Sequence, residues 1–142
     1  MTAKPTRPPG TPAPRKLRFL GAVHEGIPVR NLEIALRFYT EVLDLKPLPR
    51  PNFPEAGAWL GDADGTVQFH LIVSEKDSVP GAEARTSPTA RHTAWMVQDL
   101  DALRERLHAL GVPLLERHGN IASDQIFVKD PEGHVWEFQE PK

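Results

Sequence analysis

The chain of 142 residues contains no cysteine, which removes disulfides, thiolate metal ligands and thiol nucleophiles together. Nor does it hold a surplus of charge. Its 17 Lys and Arg stand against 19 Asp and Glu, for a net charge of -2 and a pI near 6.3. It therefore lacks the basic footprint that a nucleic-acid binder presents. No stretch approaches the ~18 apolar residues needed to cross a bilayer, and the N-terminus has no apolar core of a secretory signal. These absences predict a soluble, cytoplasmic protein whose partners include neither nucleic acid nor membrane. At roughly 100–200 residues per domain the length fits one domain. A chain of about 150 residues buries roughly two-thirds of its unfolded surface, enough to fold without a metal or disulfide. Function must then reside in histidines, carboxylates and polar side chains.

Residues 1–16 differ in composition from the rest. They hold five of the fifteen prolines, several basic residues and no large apolar side chain after Met1. Such a segment buries too little apolar surface to offset its ordering entropy, so it reads as a flexible arm. Residues 17–142 read as a single domain, and that domain repeats itself. His24-Glu25-Gly26-Ile27-Pro28-Val29-Arg30-Asn31-Leu32 and His92-Thr93-Ala94-Trp95-Met96-Val97-Gln98-Asp99-Leu100 lie 68 residues apart. Both have histidine first, then an apolar residue, Val, Asn or Asp, and Leu at matching places. Phe69-His70-Leu71 falls opposite Trp136-Glu137-Phe138 at an offset of 67. Two matches at nearly one offset indicate a duplicated module, about 17–74 and 91–142, joined by a Pro- and Gly-containing linker at 75–90.

Each module opens with a strand-like alternation, Val23–Val29 or Thr93–Val97. Asn31 and Asp99 follow at N-cap positions, where a side-chain oxygen accepts from free backbone N–H groups. The first helix carries Leu32, Ala35, Leu36, Tyr39, Val42 and Leu43 at helical spacing. The second carries Leu100, Leu103, Leu107 and Leu110, and is stopped by Gly111 and Pro113. These stripes are core-facing. Short strands come next: Ala58–Leu60 and Thr66–Ser74, then Leu114–His118, Gln125–Lys129 and His134–Glu140. The last two are joined by Asp130-Pro131-Glu132-Gly133, a turn sequence. Strand, helix and antiparallel strands, made twice, give an α+β fold.

Strand parity then sorts the polar residues. The helices need an apolar sheet face, which takes Ile27, Phe69, Trp95 and Trp136. His24, His70, His92 and Glu137 are thereby assigned to the opposite, concave face, at equivalent places of the two modules. Three imidazoles and a carboxylate suit a divalent metal such as Fe, Zn, Ni, Co or Mn. Gln68, Met96 and Gln139 share that parity, and Trp59 lies in the rim segment Pro47–Leu60; these four are candidate substrate contacts. Arg50, in the same rim, reads as a solvated loop residue, and His108, His118 and His134 read as surface residues. No phosphate-cradling glycine loop and no serine triad is present.

From about Arg18 to Gln139 the chain resembles the vicinal oxygen chelate superfamily, which includes glyoxalase I, fosfomycin-resistance transferases, bleomycin-resistance proteins, methylmalonyl-CoA epimerase and extradiol dioxygenases. The motifs carrying the resemblance are His24 to Leu32 running into Phe38-Tyr39, Val67–Val73, His92 to Leu100, and Asp130-Pro131-Glu132-Gly133 running into Trp136-Glu137-Phe138. It implies two tandem βαβββ modules whose curled mixed sheets enclose a metal in a cup. It also implies ligands at His24, His70, His92 and Glu137, and a homodimer. Glyoxalase-like members have a carboxylate where this chain has His70. That residue is thus either a fourth ligand or a base beside a two-histidine, one-carboxylate site. Such a site is also the arrangement of non-haem iron oxygenases. The expected function is a metal-dependent small-molecule enzyme with lyase, isomerase or extradiol-type dioxygenase chemistry. The alternative is metal-free sequestration of a drug or metabolite, as in bleomycin-resistance proteins. Four ligand-type side chains in one cup favour the enzyme.

Overall fold

Each half of the chain builds the same four-stranded sheet. A computed structural model describes residues 2, 6–75, 78–119 and 123–142. The first module comprises β1 (Glu25–Val29), α1 (Leu32–Arg37), β2 (Lys46–Leu48), β3 (Gly57–Gly61) and β4 (Gln68–Val73). The second comprises β5 (His92–Met96), α2 (Leu100–Ala109), β6 (Leu114–Arg117), β7 (Gln125–Lys129) and β8 (Val135–Gln139). The sheet orders are β1-β4-β3-β2 and β5-β8-β7-β6. In each, the first and last strands of the module run parallel and the remaining pairs antiparallel. Gly26 pairs with His70 and Ala94 with Glu137, so the sequence repeat is a repeat of register. The architecture is α+β with two curled mixed sheets, as expected.

The caps form where the sequence places them. The Asn31 side chain accepts from the Ile34 N–H at 3.1 Å and the Asp99 side chain from the Ala102 N–H at 3.0 Å. The first helix departs from a regular α-stripe. After Arg37 it widens into a π-helical turn over Phe38–Val42, with Leu43 N–H bonded to the Phe38 carbonyl. The wider turn brings two consecutive aromatic residues, Phe38 and Tyr39, into the core. Strand β2 has no counterpart among the strands expected from the sequence. Pro47 lies in it and is tolerated because β2 is an edge strand, paired only with β3. The opening strand begins at Glu25 rather than Val23. Residues 6–24 contain neither helix nor strand, and Leu17, Phe19, Leu20 and Val23 are each at least 80% exposed. No helix among the described residues is long and apolar enough to cross a membrane.

The apolar parity of both sheets closes on one core. Ile27, Val29, Phe69 and Leu71 pack with Ile126, Val128, Trp136 and Phe138, and α1 and α2 add Ala35, Leu100 and Leu107. Phe69 stands between the modules, its ring centroid 4.9 Å from Trp95 and 5.4 Å from Trp136.

Polar groups lock this junction. The Tyr39 hydroxyl donates to Asp130 Oδ2 at 2.6 Å and accepts from Trp136 Nε1 at 3.1 Å. Asp130 Oδ1 accepts from the backbone N–H groups of Glu132 and His134. The Glu132 carboxylate reaches back to the N–H groups of Arg30 and Asn31. His134, read from sequence as a surface residue, instead donates through Nε2 to the Pro28 carbonyl at 2.8 Å, tying the β7–β8 turn to β1. Gly133 closes that turn at φ +97°, and a Cβ there would come within 2.2 Å of the Gly81 carbonyl oxygen. The linker is pinned to the same turn by the Gly81 N–H on the Glu132 carbonyl. Burial, reinforced by the Asp130 charge, pushes the Tyr39 phenol well above its ordinary pKa, so it remains a donor.

Tyr39→Phe should leave Asp130 and the Trp136 N–H without their shared partner inside the core. A loss of about 1–3 kcal/mol in urea unfolding is expected. An unchanged denaturation midpoint would show that the hydroxyl contributes nothing to the junction.

Candidate metal centre

In the second module, the start of β5 supplies His92 and the middle of β8 supplies Glu137. They share the face opposite the core, where His92 Nε2 lies 2.9 Å from Glu137 Oε2. His92 Nδ1 is 2.7 Å from the Ala90 carbonyl. A neutral imidazole can donate through only one of its nitrogens, yet both here face acceptors. An imidazolium would satisfy both acceptors, and a divalent cation held by Nε2 and Oε2 would do so as well. A carboxylate oxygen and an imidazole nitrogen are donor types that such an ion takes. The other oxygen, Glu137 Oε1, is already filled by the side-chain amides of Gln125 at 2.6 Å and Gln139 at 2.7 Å. Burial pushes the Glu137 carboxyl up, but hydrogen bonds from Gln125, Gln139 and His92, and the His92 charge, outweigh it and hold the group below the ordinary carboxylate range. The site thus presents a buried, ionised carboxylate with one oxygen directed at an imidazole.

In the first module, β4 carries His70 opposite Trp59 on β3. The Trp59 and His70 rings stack at 4.0 Å and 4°, and His24, just ahead of β1, stacks on the other face of His70 at 3.9 Å and 17°. Gln68 donates through Nε2 to the Gly65 carbonyl, which turns its Oε1 towards His70 Nε2 at 2.9 Å. His70 therefore donates through Nε2 and keeps Nδ1 as its basic nitrogen. Burial lowers its pKa, and the neighbouring His24 and Arg50 charges lower it further. The neutral ring, the form that binds a metal or takes a proton, is favoured. Beside this stack is a cavity of about 480 Å³, whose lining includes His24, Arg50, Phe53, Trp59, Gln68 and His70.

The four expected ligands thus arrive as two pairs, His24 with His70 and His92 with Glu137. Among the described residues no group of three or more His, Asp or Glu side chains is placed to hold a metal. Gln68, Gln139 and Trp59 each contact a candidate ligand. Met96 does not: it is 63% exposed and lines a separate groove with Phe69, Trp95 and Leu103. His108 and His118 are exposed. Two contributors escaped the sequence reading. Gln125 shares the parity of Phe127, the residue paired with Glu137, a signal that could have placed it. Arg50 sits between β2 and β3 and had no such signal.

A family model, the glyoxalase/bleomycin resistance protein/dioxygenase superfamily, matches residues 21–138. The chain belongs to this superfamily. It is 27% identical to glyoxylase I 4 of Arabidopsis thaliana over 121 residues, covering 80% of this chain and 67% of that protein. It is 31% identical to the metallothiol transferase FosB of Bacillus licheniformis over 130 residues, covering 84% of this chain and 75% of that one. In fold it is similar to a glyoxalase family protein from Bacillus anthracis, with a TM-score of 0.73, 23% identity, and 90% of this chain and 100% of that one covered. It is also similar to a mutant form of the fosfomycin resistance protein FosX from Listeria monocytogenes, solved with Mn(II) and 1S,2S-dihydroxypropylphosphonic acid. There the TM-score is 0.67 at 18% identity, covering 88% and 95% of the two chains.

Both lowered groups bind protons more readily once the chain unfolds, so each adds stability that grows with pH. The share of His70 is complete above its unfolded value of 6.5 and fades as pH falls through its lower folded value. That of Glu137 is complete above 4.5 and fades below it. The Tm of chelator-treated protein should therefore fall on acidification below pH 6.5, and fall less for His70→Asn. Parallel curves for the two proteins would contradict this.

Proposed function

We propose that this protein is a metal-dependent enzyme acting on a small molecule, its centre formed by His92 and Glu137 of one chain and His24 and His70 of a second copy. The carrying observation is the Glu137 carboxylate. One oxygen is filled by two amides and the other faces an imidazole whose second nitrogen is already at a carbonyl. A second copy would bring its His24 and His70 to the His92–Glu137 pair, since among the described residues of one chain no three such groups converge. It also offers cover to the exposed apolar side chains Leu17, Phe19, Leu20 and Val23, which lead directly into His24. The homodimer and the metal agree with the superfamily, and the FosX relative binds Mn(II).

When bound, the cation supplies Lewis acidity to two neighbouring oxygens of the substrate. This chain's own residues do the rest. Gln125 and Gln139 hold Glu137 in one rotamer and keep it ionised. Gln68 fixes the His70 tautomer, so that Nδ1 can ligate or take a proton from a carbon next to a polarised carbonyl or from water. Lyase and isomerase chemistry suit that base most directly. Oxygenase chemistry would use the two-histidine, one-carboxylate subset His24, His92 and Glu137, with His70 as the free base.

Metal analysis of tag-free protein should find about one divalent ion per chain. His92→Ala and Glu137→Ala should each lower metal affinity at least ~10-fold while the fold is retained. A mixture of His24→Ala/His70→Ala chains with His92→Ala/Glu137→Ala chains should regain binding, because one intact centre forms per mixed dimer. Full metal occupancy in both single variants would sink the ligand assignment. No recovery on mixing would sink the shared site. No uptake of any candidate ion by the unaltered protein would favour sequestration of a small molecule in the same cup.

A further inference from the structure

The rim residue Arg50 has an unmet hydrogen-bonding capacity that the proposed centre does not use. One terminal nitrogen donates to the Glu55 carbonyl at 2.8 Å, and the guanidinium lies over the Phe53 ring, 5.1 Å from its centroid. Its Nε is buried and has no hydrogen-bond partner, and among the described residues no carboxylate pairs with it. By contrast, Arg37 and Arg104 meet acidic side chains, and Arg106 meets the carbonyls of Glu41 and Val42. A buried N–H on a charged group is costly to leave unmade. The Arg50 side chain lines the cavity of about 480 Å³ that Trp59, His70 and His24 also line. The Nε–H and Nη2 share one edge of the guanidinium and the two terminal nitrogens share the other, and such edges receive the oxygens of a carboxylate or phosphonate. The Trp59 ring, stacked on His70 through one face, lines the same cavity.

We propose that Arg50 is the anion anchor of the substrate cup, which takes a small planar molecule carrying an oxyanion. The inference rests on the proposed function only in placing that molecule beside His24 and His70. Arg50 selects the substrate by its charged end, and Trp59 covers the planar part.

Calorimetric titration with benzoate, phenylphosphonate and neutral benzamide tests this, on chelator-treated and on Mn(II)-loaded protein. At least one of the two anions should bind saturably without metal, and benzamide should bind at least tenfold more weakly. Whichever anion binds tighter identifies the oxyanion. Arg50→Gln should weaken anion binding at least tenfold and leave benzamide unaffected. Arg50→Lys, which keeps the charge but loses the Nε donor, should recover part of the loss and serves if Arg50→Gln does not fold. Equal affinity for anions and benzamide, no saturable anion binding in either form, or anion affinity unchanged in the Arg50 variants would overturn the proposal. Arg50-dependent anion binding by a protein that takes up no metal would uphold it while removing the metal centre. Metal uptake with no Arg50 effect would do the reverse.

Discussion

Asp130 joins the two modules by using its two oxygens on different partners. One accepts the Tyr39 hydroxyl from the first helix; the other accepts two backbone N–H groups of its own turn. A carboxylate so buried is tolerated only when its acceptor capacity is filled, so the tyrosine and the turn must be in place together. Trp136 completes the set by donating to the same hydroxyl. With that junction closed, Phe69 sits among aromatic rings of both modules, and the helix-side faces of both sheets share one core. The opposite faces are left to present their polar side chains.

Elsewhere the bonding is less complete: among the described residues the buried Arg50 Nε and Trp95 Nε1 meet no acceptor. Glu137 is as deeply placed as a core residue, yet one of its oxygens faces only an imidazole already at a carbonyl. The carboxylate suits a positive ion and the Arg50 guanidinium a negative group. Saturated polar networks hold the junction of the modules together.

Much of the architecture was legible along the chain. The repeat from His24 to Leu32 and His92 to Leu100 reappears as equivalent pairing of Gly26 with His70 and Ala94 with Glu137. Parity separated Ile27, Phe69 and Trp136 from the candidate ligands because side-chain direction in a strand is set by position alone. Asn31 and Asp99 were readable as caps because capping is local. The misses were non-local. Strand β2 exists only because β3 lies beside it, the π-helical turn because two adjacent aromatics both reach the core, and the role of His134 because β1 passes within reach of its ring.

The sequence by itself thus determined the modules, their faces and the residue types available for chemistry, since all three follow from periodicity and short-range geometry. Only the tertiary structure decided how those residues are grouped. It put His24 against His70 and His92 against Glu137, and kept the two pairs from forming one cluster among the described residues. It also turned Gln125 and Arg50 towards the polar faces. The physical reason is that a side chain's parity names its face of a sheet. How two sheets pack through a common core determines which faces meet.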